Sequence, residues 1–233
     1  MTIGTDASLS EAGSPLDLGR IEALCERHLA ALDSDAAHDL EHTRRVVANA
    51  RALAESEGAR LEVVVPAAWL HDCVNVPKDS PDRPRASRLA AAEAQRLLEG
   101  WGVSPELLPA IAHAIEAHSF TAGIPPRTIE AGVLQDADRL DALGAIGLAR
   151  CLMLGAQLGR PLYVPGDPFC LDREPDDLAS SVDHFYTKLL DLAGTFTTTA
   201  GRAEAERRTG MLRHFLAELR HELGWNMEGG PRP

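Results

Sequence analysis

The chain reads as an all-α, single-domain helical bundle, and three observations predict it. From Leu16 onward, segments rich in Ala, Leu, Glu and Arg repeat apolar residues at three- and four-residue steps, which is the helical period. Strand-like alternation is nearly absent: aromatic residues make up only 4% of the chain, and Val63–Val65 is the one local β-branched run. A hydrophobic share of 45% and a charged share of 25% over 233 residues are ordinary globular values, in a chain long enough to bury a sizeable core.

Helices are expected over 16–32, 38–57, 61–74, 86–100, 104–118, 128–158, 175–193 and 199–223. Ser34 or Asp35 can cap the second and Gly58 can close it. The third holds Val63–Leu70, the longest apolar stretch free of charge. Ser104 followed by Pro105 suits the cap and first position of the fifth. In the sixth, GAIGLARCLMLGAQLG has four glycines but no preceding strand, so close helix packing explains it better than a dinucleotide-binding loop. Phe185, Tyr186, Leu189 and Leu190 have helical spacing and read as core. Residues 75–85 and 160–175 are too rich in Pro and Asp to be helical, and such loops on a compact body often hold substrate. Residues 1–15 and 225–233 read as tails, leaving 16–224 as one domain.

Charge and composition exclude several classes. With 23 Lys and Arg against 35 Asp and Glu, the formal charge is −12, which argues against a DNA or RNA polymer as the main partner. No apolar stretch is long enough for a membrane span, and MTIGTDASLSEAGSP has neither the basic start nor the apolar centre of a secretory leader. A cytoplasmic protein with no membrane partner is expected. Cysteines at 25, 73, 151 and 170 form no CxxC pair, so free thiols are expected rather than a zinc ribbon or disulfides.

The chemistry-bearing residues are His42 in AHDLEHTRRVV, His71 and Asp72 in AAWLHDCVNV, and Asp138 in LQDADRLDALG. Imidazole and carboxylate together suit Mn²⁺, Fe²⁺ or Zn²⁺, and carboxylate with water suits Mg²⁺. Adjacent residues on a helix diverge by about 100°, so His71 and Asp72 can share an ion only if it lies between them and other helices supply the rest. One His-Asp dipeptide carries little weight, because His38–Asp39 is a second one. The ordered set carries more: a His before RRVV, then AAWLHD, then DADRLDALG.

This order resembles the HD-domain superfamily of metal-dependent phosphohydrolases, and HDLEHTRRV, LHDCVNVPKDSPDR, AHSF, LQDADRLDALGAIGLAR, DPFC and DHFYTKLL are closest to its compact bacterial branch. The resemblance implies one divalent ion (Mn²⁺, Mg²⁺ or Fe²⁺) held by His42, His71, Asp72 and Asp138. Asp138 is preferred to Asp136 because the family's ligand precedes a basic residue, here Arg139. The implied reaction is hydrolysis of a phosphoester or phosphoanhydride of a small phosphorylated metabolite, a nucleotide foremost, by metal-activated water.

Asp72 is the candidate to orient that water, and His118 to transfer a proton or bind phosphate. Lys78, Arg83, Arg85 and Arg88, next to the HD pair in sequence, are candidates to grip phosphate. His38, one turn before His42, reads as support behind a ligand. Asp141 either orients a ligand or caps a turn. His113 and His118 are five residues apart, about 140° around a helix, so they do not share a face. The alternatives are a non-catalytic nucleotide-sensing module and a di-iron HD oxygenase, whose extra histidines are not clearly matched here. Asn75 stands where guanosine tetraphosphate hydrolases carry acids, and no GYP segment of the cyclic-dinucleotide branch occurs. Oligomeric state is open.

Overall fold

A computed structural model describes residues 16–32, 40–77, 80–226 and 230–231. The all-α prediction holds, and one helix decides the arrangement. In α3 (Leu61–Leu70) every residue from Val63 to Leu70 is buried. LEVVVPAAWL bears no charge after Glu62, and a helix that is apolar all round must be enclosed. α1 (Leu18–Ala30), α2 (Leu40–Glu57), α5 (Leu108–His118) and α6 (Ile129–Leu140) enclose it, and α4 (Ala86–Gly100) lies against α5. α7 (Gly144–Gln157) and α8 (Thr199–Glu222) follow, with α8 packed on both α6 and α7. Side-chain caps start three helices: Asp17 for α1, Thr128 for α6 and Thr198 for α8.

Four expectations need correction. The third helix stops at Leu70 rather than 74, placing His71 and Asp72 on the turn beyond it. The fifth begins at Leu108 rather than 104, with Pro109 as its second residue. A start at 104 would have buried that proline, with no N–H to donate, inside the ladder. The segment 128–158 is two helices bent by 58°, broken where Asp141 ends α6 and Gly144 takes φ +68°. Residues 175–193 are not a continuous helix; a π-turn spans Phe185–Leu189 and a 3₁₀ turn Leu192–Thr195. Side chains tie this segment together: the buried carboxylate of Asp183 accepts the Asp176 N–H at 2.7 Å and the Ser180 hydroxyl at 2.5 Å, and pairs with Arg173. Phe185 and Leu189 are nevertheless core, as expected.

At the C-terminal end, Trp225–Asn226 and Gly230–Pro231 form a two-residue antiparallel ladder where a tail was expected. The caps Ser34 and Asp35 and the tail 1–15 lie outside the described residues. The glycines of α7 do permit close approach, since a Cβ on Gly155 would lie 2.1 Å from Ser181 Oγ. All four cysteines are free thiols.

Asp136, the runner-up metal ligand, is a structural tie. Its carboxylate is fully buried and accepts the Thr197 N–H at 3.0 Å, the Thr198 N–H at 2.8 Å and the Thr198 hydroxyl at 2.7 Å. It therefore fastens the start of α8 to α6, and Gly201 leaves it room, for a Cβ there would sit 2.4 Å from Asp136 Oδ2.

Two stability outcomes follow. Asp136→Ala strands buried amides and should lower the unfolding free energy by about 2–4 kcal/mol in urea titrations, with metal content per folded chain unchanged. Loss of metal at unchanged stability would instead move Asp136 into the site. Burial opposes ionisation of Asp183, but Arg173, the Asp176 amide and Ser180 outweigh it and hold its carboxyl well below the usual range. A depressed carboxylate stabilises above its unfolded pKa of about 3.9 and ceases to do so as pH falls. Asp183→Asn should thus destabilise at neutral pH, and the gap in thermal unfolding from the native chain should narrow as pH drops from about 5 toward 2.

Candidate metal centre

His71, just past the end of α3, is completely buried. Its Nδ1 lies 2.8 Å from the Ala68 carbonyl oxygen. A carbonyl only accepts, so Nδ1 carries the hydrogen and Nε2 presents a bare lone pair. That Nε2 is buried without a hydrogen-bond partner. Around it stand Asp72 Oδ2 at 3.7 Å and Asp138 Oδ1 at 4.0 Å, beyond hydrogen-bond range.

His118 uses the same device at the end of α5. Its Nδ1 donates to the Ile115 carbonyl at 2.6 Å, leaving Nε2 3.7 Å from Asp72 Oδ1. Histidine at a helix C-terminus satisfies a late carbonyl and at once fixes its own tautomer. His42, in the first turn of α2, directs Nε2 to Asp138 Oδ1 at 3.4 Å and holds Asp141 Oδ2 with Nδ1 at 2.7 Å. The three rings meet edge to face, 5.7 Å between His42 and His71 and 5.0 Å between His71 and His118. One ligand atom from each of His42, His71 and Asp72 lies within 4.8 Å of the others.

Asp141 stands behind this cluster. Besides His42, it takes Arg45 through Nε at 2.7 Å and Nη2 at 3.1 Å, and Arg150 through Nη1. Of the two readings for Asp141, it performs both, ending α6 and orienting His42. Sequence reasoning missed Arg45 and Arg150. Arg45 was findable, one turn after His42 on the same helix; Arg150, from α7, was hidden by the misread break between α6 and α7.

The electrostatics are those of a cation site. Burial pushes the His71 imidazole below its ordinary value, so it is neutral. Burial opposes charge on His42 as well, but Asp138 and Asp141 outweigh it and raise its pKa to about 9. Burial opposes ionisation of Asp138, yet His42, His71 and His118 hold its carboxyl well below the usual range. A buried, neutral, unpartnered nitrogen facing two carboxylates fits a divalent ion and fits no hydrogen-bonding partner present.

Of the sequence-predicted residues, His42, His71, Asp72 and Asp138 come together, with His118 beside them. His113 does not; its Nε2 accepts the Arg127 N–H at 3.0 Å and secures the loop after α5. Arg83 donates to the Val76 carbonyl at 2.9 Å, Arg85 pairs with Asp82 at 3.2 Å, and Arg88 is exposed near the start of α4. Lys78 and His38 lie outside the described residues.

Comparisons with known proteins give the family. The HD domain family matches residues 39–143. YpgQ from Bacillus subtilis (strain 168) is 33% identical over 195 residues, 82% of this chain and 87% of the relative. The crystal structure of an HD-superfamily hydrolase from Bacillus thuringiensis superposes with a TM-score of 0.69 at 34% identity, covering 88% of this chain and 96% of that one. The structure of B. subtilis YpgQ in complex with ADP gives 0.67 at 31% identity, covering 88% and 94%. Ligand order, convergent geometry and these likenesses lead to one conclusion: the chain belongs to the HD-domain superfamily of hydrolases.

Proposed function

We propose that the chain is a metal-dependent phosphohydrolase that cleaves a phosphoester or phosphoanhydride of a small metabolite, a nucleotide foremost. The observation that carries this is the orphaned Nε2 of His71 facing Asp72 and Asp138, with His42 opposite. The ADP bound by the similar YpgQ supports a nucleotide as the ligand class.

His42, His71, Asp72 and Asp138 would hold the ion, which when bound acidifies water and neutralises charge on a phosphoryl oxygen. The chain's own residues do the remainder. Asp72 is 39% exposed and turns one oxygen to His71 and the other to His118. It is therefore placed to accept the proton of an attacking water. His118, with Nδ1 committed to a carbonyl, offers Nε2 alone, at the atom where a proton can be held or handed on to a leaving oxygen. Arg83, Arg85, Arg88 and Lys78 remain the proposed phosphate contacts from the loop beyond the HD pair.

Purified protein reconstituted with Mn²⁺, Mg²⁺, Co²⁺ or Fe²⁺ should release phosphate or pyrophosphate from at least one nucleotide in a broad panel. His71→Ala and Asp72→Ala should each abolish bound metal and turnover together, by elemental analysis and product assay. Tight nucleotide binding without turnover under every metal would favour a sensor instead. Asp141→Asn keeps the shape but weakens the grip on His42, so metal affinity should fall about 10–100-fold with the fold intact.

A further inference from the structure

The helix α7 carries its large apolar side chains outward. Its inward stripe is Gly144, Gly147, Leu148, Cys151 and Gly155; the three glycines are buried, and Leu148 and Cys151 pack half-buried against the core. At 100° per residue the opposite face is centred on Ile146, Ala149 and Met153, with Leu154 beside them. Met153 is 64% exposed, Leu154 46% and Ile146 42%, and Leu158, 56% exposed, continues the patch past the last turn. A helix on the surface of a soluble body ordinarily buries its large apolar side chains and shows polar ones to water. With glycine inside and Ile, Met and Leu outside, α7 reverses that rule, and an apolar patch of this kind marks a contact with another molecule.

Charge identifies the partner. Residues 142–166 hold no Asp or Glu, the longest acid-free stretch in a chain with 35 acids and a formal charge of −12. Its two cations are Arg150 and Arg160, and Arg150 turns Nη1 inward onto Asp141 Oδ2. A basic partner is drawn by acids, and an anionic lipid surface by clustered Lys and Arg; this face offers neither. A second copy of the chain brings the same −12, and is the partner that requires a contact from which acids have been removed. An uncharged apolar patch is also complementary to itself, as a two-fold contact demands. We infer that the outer face of α7 is the surface through which two copies of this chain form a symmetric dimer.

Sedimentation velocity of the full chain, from about 1 to 100 µM, tests this. The native chain should sediment as a dimer, and its dissociation constant should fall as NaCl rises from about 0.05 to 0.5 M, because salt screens the repulsion between two acidic bodies and leaves the apolar contact. Met153→Glu, and separately Ile146→Glu, should weaken the dimer about 100-fold or more, since each sets a carboxylate on both sides of the seam, with the far-ultraviolet circular dichroism of the folded chain retained. Leu32→Glu, at a leucine of similar exposure beyond the end of α1, should leave the dimer as it is. A native chain that stays monomeric over that range, or a dimer that both face glutamates leave intact or that loosens as salt rises, would overturn this contact. So would a monomer that co-sediments with phosphatidylserine–phosphatidylcholine vesicles and loses them in M153E.

Discussion

An imidazole nitrogen sealed from water with no partner is a standing penalty of roughly 1–3 kcal/mol, and much of this fold exists to keep His71 Nε2 in that state. The apolar helix α3 must be buried on all sides, so whatever follows it emerges inside the protein. The Ala68 carbonyl takes the one hydrogen of His71, which leaves the lone pair directed at the space between Asp72 and Asp138. A cation would convert the penalty into a bond, so stability and metal affinity are coupled at this atom.

The same economy shows on α6, where three carboxylates within six residues do three jobs. Asp136 and Asp138 are separated by about 200° around the axis, so they face opposite ways. Asp136 meets the start of α8 and is consumed by Thr197 and Thr198; Asp138 meets His42 and His71. Asp141, beyond the last turn, returns toward Asp138's side and fixes His42 from behind. Composition treats the three as equal acids; the helical angle separates them.

That separation marks what could be read from sequence. The members of the cluster were legible because each of His42, His71, Asp72 and Asp138 sits in a local string with its own pattern. Core helices were legible because apolar periodicity is a local property, as in α3 and α5. What escaped were places where a side chain takes over a backbone group, or where a partner from far along the chain has no pattern of its own. In place of the helix expected over 175–193 stand turns tied through Asp183 to Arg173, Ser180 and the Asp176 amide, and the break after Asp141 is marked by Gly144 and by contacts to Arg45 and Arg150. Arg83 and Arg85 were read from nearness in sequence to the HD pair; they meet Val76 and Asp82 locally, and their contact with phosphate is a proposal.

The net charge of −12 therefore says little about how the centre treats an anion; its own charges decide that. The centre carries three carboxylates, Asp72, Asp138 and Asp141, against the two guanidiniums that hold Asp141, Arg45 and Arg150, and a His42 whose pKa Asp138 and Asp141 raise to about 9. With His42 protonated, those three negative charges are matched by three positive ones. A divalent ion held there would replace one proton on His42 and bring one excess positive charge to the centre. In a site partly shielded from water that difference is worth several kcal/mol to an anion about 4 Å away. A bound ion would thus strengthen the pull of the centre on the phosphoryl group of the proposed substrate.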